Sequence, residues 1–448
     1  MNSRKEVNCM QLWKSFPLLL AALAMLSACG SGGSSTDSTT TSTAPASFYT
    51  HNAVFLNNTT VYTWGSNESG QLGNGTTAFS SLPIRVARFS NYSSGNGVAT
   101  GSNHTLAFQK YSTVRAWGFN GYGQLGNGVT ADKQTPNSKV PVAVRKKGRG
   151  ESLSGVVAVA AGGYFSLALD RNGNVWSWGN NFYGQLGRQP YINNGVFVHL
   201  SSQTADKVQT ETQTTVNGSP IISIKAIAAG GSHALALDSE GAVWGWGYNG
   251  YGQVGDVLTT KSNTIYPVKV PFLDPPRAVR IVKIAAGGSH SLALDSEGYI
   301  WGWGYNYFGQ LGNGLSGENT YSATPEKIAA LRLDASALIV AGVDHSLAYD
   351  PINDTLYAWG FNLYGQLGTS TTANSSTPVP VKDPVNVINN FRLKAITGTL
   401  PVALVAAGHH SHARMVDGSW WSWGDNISGQ LGDATHTNRS IPVRVKGF

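Results

Sequence analysis

Histidine, cysteine and carboxylate side chains build metal sites, nucleophiles and acid–base pairs, and their placement in this chain argues against all three. His104, His233, His290, His345 and His410 occupy equivalent positions, once per repeat of the sequence. Residues so distributed form a ring whose members stand too far apart to ligate one ion, so hydrogen bonding between strands is the chemistry expected of them. Asp170, Asp238 and Asp295 each close an apolar run and read as turn residues. No two carboxylates are placed as an acid–base pair, and no HExxH, paired CxxC, GxxxxGK or GxSxG motif occurs. No metal, no cofactor and no enzymatic activity is expected.

The cysteines are Cys9 and Cys29. Arg4, Lys5 and Lys14, the apolar run FPLLLAALAML at 16–26 and the small residues after it follow the order of a secretory signal. Leu26-Ser27-Ala28-Cys29 resembles the lipobox of bacterial lipoproteins, in which the cysteine thiol takes a diacylglyceryl group. The resemblance implies a signal peptide at 1–28, lipidation of Cys29 and a Gly/Ser/Thr-rich tether at 29–47. Two or more acyl chains anchor a protein stably without a membrane span. Gly30 stands where the inner-membrane retention signal would place Asp, so an exported protein held at the outer membrane or cell surface is expected.

Aromatic side chains offer binding chemistry. The string WGxNxxGQ(L/V)G occurs seven times, from Trp64, Trp117, Trp178, Trp246, Trp303, Trp359 and Trp423. The residue before its second glycine is Tyr122, Tyr183, Tyr251, Phe308 or Tyr364 in the middle five copies, and Ser69 or Ser428 in the outer two. If equivalent loops emerge on one face, these rings form an arc able to hold a protein or to stack on sugars. The competing reading is that each ring covers the edge of its neighbour's repeat.

The elements that position these residues follow from the repeat. The tryptophans lie 53, 61, 68, 57, 56 and 64 residues apart, one supersecondary unit with spacers of changing length. Before each loop a second pattern recurs, clearest in IAAGGSHALALDSEGAVWGWG at 227–247. IAAG reads as a short buried strand, HALAL as a half-buried one, DSEG as a hairpin turn and AVWGWG as a third strand. A fourth follows each loop, seen in PIRV from Pro83, PVAV from Pro141, PVKV from Pro267, PEKI from Pro325 and PVRV from Pro442. Seven such units bury their faces only by packing radially, which predicts an all-β, seven-bladed propeller of four-stranded antiparallel blades over 48–448. The seven tryptophans and the seven loop asparagines then serve as scaffold.

Composition agrees. Of 448 residues only 12% are charged, against 54 Gly and 13 Trp, which excludes a disordered chain and disfavours helices. The net charge of +7 names no partner. The dense basic run 145–149 (RKKGR) reads as a solvated loop, and 188–220 as an exposed polar excursion. Departures from the pattern are Phe165 in place of histidine, His412 in place of leucine and a first unit without IAAG. Because the chain ends 16 residues after Gly432, the two termini are expected to share the closing blade.

The paired AAGxxHSLAL and WGxNxxGQLG motifs resemble the repeats of the regulator of chromosome condensation family, whose members form seven-bladed propellers. Eukaryotic members exchange guanine nucleotide on a small nuclear GTPase, an activity that export would keep from its partner. The expectation is therefore a lipid-anchored extracytoplasmic scaffold that binds another protein at the cell envelope. A glycan-binding module working through the loop aromatics is the alternative, with an exchange factor or exported enzyme behind it. No nucleic-acid partner is expected.

Overall fold

Short runs that alternate small and large apolar residues between glycine turns leave the backbone no option but strands paired with their sequence neighbours. In the computed structural model each repeat does so. In blade four, Ile224–Ala229, His233–Asp238, Val243–Gly247 and Thr264–Lys269 pair antiparallel in chain order. Blades two (97–143), three (156–207), five (281–332), six (338–380) and seven (403–444) repeat this arrangement. The protein is an all-β, seven-bladed propeller. The structure describes residues 50–447 except 57–59, 87–96, 110–112, 130–136, 149, 189–190, 194–195, 199–200, 210–222, 257–262, 274–278, 385–390, 392–402 and 416. The signal, Cys29 and the tether lie outside the described residues.

The HALAL-type strand is buried along its whole length, not half-buried as its alternation suggests. Its two faces meet two different blades. In blade four Ala234 and Ala236 join the apolar cluster shared with blade three, whereas Leu235 and Leu237 join the one shared with blade five. Period-two alternation here sorts residues between two neighbours, both of them dry.

Blade one holds His51–Leu56, Thr60–Gly65 and Ser80–Arg85, three strands among the described residues. Blade seven takes all four of its strands from the C-terminal segment, so the expected sharing of a closing blade is not found. The seam is closed by side chains. Asn52 Nδ2 and Trp64 Nε1 donate to the Gln430 carbonyl at 2.7 and 2.8 Å, and His410 Nε2 meets Asn52 Oδ1 at 2.9 Å. Val54, Trp64, Trp420 and Val445 supply the apolar part of the joint.

The prolines read from the sequence sit in the outer strands, where an edge N–H has no partner to lose. Blade three differs. Its outer strand, Ser202–Lys207, lies inside the segment expected to be an exposed excursion, and Ala205 stands at the proline position. The Ala205 N–H donates to the Arg145 carbonyl at 2.8 Å, and Lys147 N–H returns a bond of 2.9 Å to the Ala205 carbonyl. The described part of the basic run, 145–148, is solvent-exposed at Arg145 and Lys147, as a solvated loop would be, yet it is held in place, with Arg145 bridged to Ser152, and covers this edge as a hairpin. Arg188, at the start of the same segment, is buried and donates to the Ser177 carbonyl and hydroxyl.

Candidate interaction face

The seven loop tryptophans are wholly buried between blades. Each indole N–H donates to the backbone carbonyl of the loop glutamine in the preceding blade, as Trp178 does to Gln124 at 2.9 Å and Trp246 to Gln185 at 3.0 Å. The final glycine of each loop lies flat against that indole. At Gly126 a Cβ would stand 2.8 Å from Trp178 Cδ1, with φ at +61°, so only glycine fits.

The histidine ring adds a second staple to the same carbonyl. His104 Nε2 meets Ser166 Oγ at 3.0 Å, and that hydroxyl donates to the Gln124 carbonyl at 2.9 Å. Since the serine proton is spent on the carbonyl, His104 carries its own proton on Nε2. His233, His290 and His345 repeat the bond to Ser291, Ser346 and Ser411. His51, which sequence reading missed, makes it to Thr105 at 2.8 Å. Its context, THNAVF, lacks the AAG segment that marked the others. Burial lowers these imidazoles from 6.5 to about 3 at His51, His104, His233, His290 and His345, and they are neutral structural groups.

Within each loop the asparagine Oδ1 accepts the backbone N–H five residues on, as Asn120 does from Leu125, and the glutamine Oε1 accepts the N–H two residues before it, as Gln124 does from Tyr122. The loops are also pinned inward. Phe119 N–H donates to the Asn103 carbonyl and Tyr305 N–H to that of Ser289, both on the segment between first and second strands. Those segments are themselves linked around the axis by backbone bonds, from Ser102 to Gly163, Gly163 to Gly231, Gly231 to Gly288, Gly288 to Val343 and Val343 to Gly408. The result is a stiff platform at one end of the propeller.

The aromatic arc lies on this platform. Tyr183 packs on Tyr248 of the next blade with centroids 4.8 Å apart, Tyr251 on Tyr305 at 4.7 Å and Phe308 on Phe361 at 4.6 Å, all tilted. Where the third loop residue is Asn180 or Asp425 instead of an aromatic, a ring arrives from the inner segment. Tyr122 meets Tyr164 at 5.3 Å, and Tyr364 meets His409 at 5.4 Å. Each of the five arc residues therefore packs across a blade joint onto a ring of the next blade, and the ring contacts run continuously from Tyr183 to Tyr364. Tyr122 is 39% exposed and the other four are half-buried.

More open side chains flank them. Phe182, Leu363 and Ile427 are 62%, 61% and 63% exposed at the loop tips. Of the twelve large apolar residues exposed among those described, eight belong to the loops joining third and outer strands, which concentrates greasy surface on one end. The seven loops contain six acidic and three basic residues, but Asp256, Asp425 and Asp433 are buried, so among the described residues Glu68 and Glu318 are the exposed acids of these loops. Burial raises the Asp344 carboxyl to about 7 and also raises Asp425, while it lowers His409 to about 4. Gln310 Nε2 donates to Asp344 and Gln430 Nε2 to Asp425. Among the described residues no three histidine, cysteine or acidic side chains converge as metal ligands, and no helix is long and apolar enough to cross a membrane.

Stapled blades carrying loops on a stiff platform define a propeller whose end surface displays aromatic and apolar side chains. The chain belongs to the RCC1-like domain family, which residues 44–399 match, and residues 417–448 match the regulator of chromosome condensation (RCC1) repeat. It is similar to the Arabidopsis thaliana ultraviolet-B receptor UVR8, 28% identical over 402 residues that cover 89% of this chain and 80% of that one. It is 33% identical over 227 residues to the human probable E3 ubiquitin-protein ligase HERC4, covering 51% of this chain but only 19% of the ligase. Among solved structures, human WBSCR16 superimposes with a TM-score of 0.68 at 22% identity, covering 87% of this chain and 94% of that one. Yeast RCC1 (Prp20), solved with Kap60, gives 0.64 at 20% identity, covering 94% and 91%. These two likenesses carry the fold.

Proposed function

We propose that this protein is an extracytoplasmic scaffold, tethered by lipid on Cys29 at the outer membrane or cell surface, which binds another protein through its loop face. The observation that carries the binding half is the concentration of exposed Phe182, Leu363 and Ile427 beside the arc on a stiff platform. Such a surface suits a partner that offers apolar side chains. The tilted, edge-packed rings leave few open faces for stacking, which favours a protein over a glycan. The yeast relative Prp20p is described by its binding to Gsp1p and histones, both proteins. The tether half rests on the Leu-Ser-Ala-Cys motif and the Gly/Ser/Thr-rich segment after it.

Cross-linking on intact cells from a photoreactive residue at Phe182 should capture a discrete protein, and Phe182→Ala with Ile427→Ala should weaken its binding by about 1–3 kcal/mol per hot-spot residue. Capture unaffected by these changes would move the interface elsewhere. Cys29→Ala should abolish incorporation of labelled lipid and release the protein from membranes. A wild-type N-terminus free of lipid would overturn the tether.

A further inference from the structure

The hairpin formed by the basic run encloses more than an edge. Between it, the turn after Asp170 and the end of the outer strand of blade three lies a cleft of about 720 Å³. Lys146, Lys147, Arg171 and Lys207 line it, beside Asn174 and Trp176. Its two acids are already engaged. Asp170 accepts bonds from the backbone of Asn172 and Asn174, from the Asn174 amide and from Trp176 Nε1. Asp206 pairs with Lys147 at 3.1 Å.

The remaining cations are incompletely neutralised. Arg171 is exposed and has no acidic partner among the described residues. The Lys207 ammonium donates to the Asn174 amide oxygen at 3.1 Å and has no acidic partner among the described residues; it lies 5.6 Å from the centre of the Trp176 ring, where Lys146 also lies at 5.8 Å. Lys146 has Glu151 at 3.7 Å, at the outer limit of an ion pair. The lining carries four cations against two carboxylates, an excess of positive charge that an anion complements. A guanidinium fork and three ammonium groups lining one cleft are suited to the several oxygens of a phosphate. The volume falls within the range of roughly 300–1,000 Å³ typical of small-molecule sites and exceeds the needs of a bare ion. Asn174 offers an amide beside it for a hydroxyl.

We propose that this cleft is a binding site for a phosphate-bearing organic ligand, either a phosphorylated sugar or the headgroup of an anionic phospholipid. It is independent of the loop face and of its protein partner. Sequence and fold agree on its construction. Only because Ala205 replaces the proline of the other outer strands can the hairpin attach there and carry Lys146 and Lys147 to Lys207 and Arg171.

Calorimetric titration of the full chain with glucose 1-phosphate and with dihexanoyl phosphatidylglycerol tests it, using glucose and dihexanoyl phosphatidylcholine as uncharged and zwitterionic controls. Saturable binding of either phosphate probe is expected, weakened at least tenfold by Arg171→Gln and by Lys207→Gln at unchanged melting temperature. Lys446→Gln, an exposed cation on another blade, should bind as wild type does. A response to the sugar phosphate alone identifies a phosphosugar site, and one to the glycerol lipid alone a headgroup site. Absence of saturable binding of both probes, equal binding of the controls, or an equal loss in Lys446→Gln would overturn the proposal.

Discussion

Phe165 and Ala234 face each other in the joint between blades three and four, where the six other joints hold a histidine and a hydroxyl or amide partner. Both members of the pair have changed together: the ring keeps its place, and neither a donor nor an acceptor remains. Trp246 still donates to Gln185, so this joint keeps one staple where the others have two.

Restoring one member alone should therefore be harmful. Phe165→His buries an imidazole against a methyl group and should cost about 1–3 kcal/mol, the desolvation of an unpaired polar group. Phe165→His with Ala234→Ser should recover most of that loss. Urea denaturation of the four proteins of the cycle measures the coupling.

His412 presents the opposite error of pattern. It is buried, with neither ring nitrogen on a partner among the described residues, at the position that Leu106, Leu167, Leu235, Leu292 and Leu347 fill in other blades. His412→Leu should raise stability by about 1–3 kcal/mol. A lower denaturation midpoint in the variant would contradict this.

Acid should unfold the protein early. His51, His104, His233, His290, His345 and His412 are lowered to about 3 by burial, and His410 lies well below 6.5. Unfolded imidazoles take protons below pH 6.5 while the folded ones do not, so stability is full above 6.5 and falls from there toward 3, by about 1.4 kcal/mol per pH unit for each histidine. Asp344 runs the other way. Its carboxyl is raised from 3.8 to about 7, so rising pH across that window costs stability, and Asp425, also raised by burial, acts in the same direction, but these are two groups against eight histidines once His409, lowered to about 4, is counted. Urea midpoints measured from pH 4 to 8 should climb steeply to about 6.5. A flat profile would refute the neutral ring.

The arc and the blade joints should separate by substitution. Trp246→Ala should cost about 3–5 kcal/mol and Phe182→Ala less than about 0.5. Tyr183→Ala and Tyr251→Ala should fall between, because each ring is half-buried against its neighbour across a joint. Melting temperatures of the four variants, ranked in that order, check the division between support and display.

The propeller was legible because WGxNxxGQLG and AAGxxH recur with every local signal agreeing. The bonds they make were less so. Ser166, Ser291, Ser346 and Ser411 look like small residues of an alternating strand, and only three dimensions reveal them as the partners of histidines one blade away. The outer strand of blade three was hidden because SQTADK lacks both proline and an apolar alternation. Tyr164 and His409 could have been found: they precede the ring position only in the two blades whose loop offers Asn180 or Asp425 in place of an aromatic.

The seam at Asn52, Trp64 and Gln430 sets an order of events during synthesis. Blades two to six can each dock on a predecessor as the chain emerges, but the Gln430 carbonyl that accepts from Trp64 lies 366 residues further along the chain. The seam side of the first blade gains its bonds to Gln430 only when the last blade has been made. Among the described residues no strand crosses the seam, and the side chains of the two end blades hold it. Closure is thus the last act of folding, and the joint where a pulling force or a newly synthesised neighbour would first find the ring open.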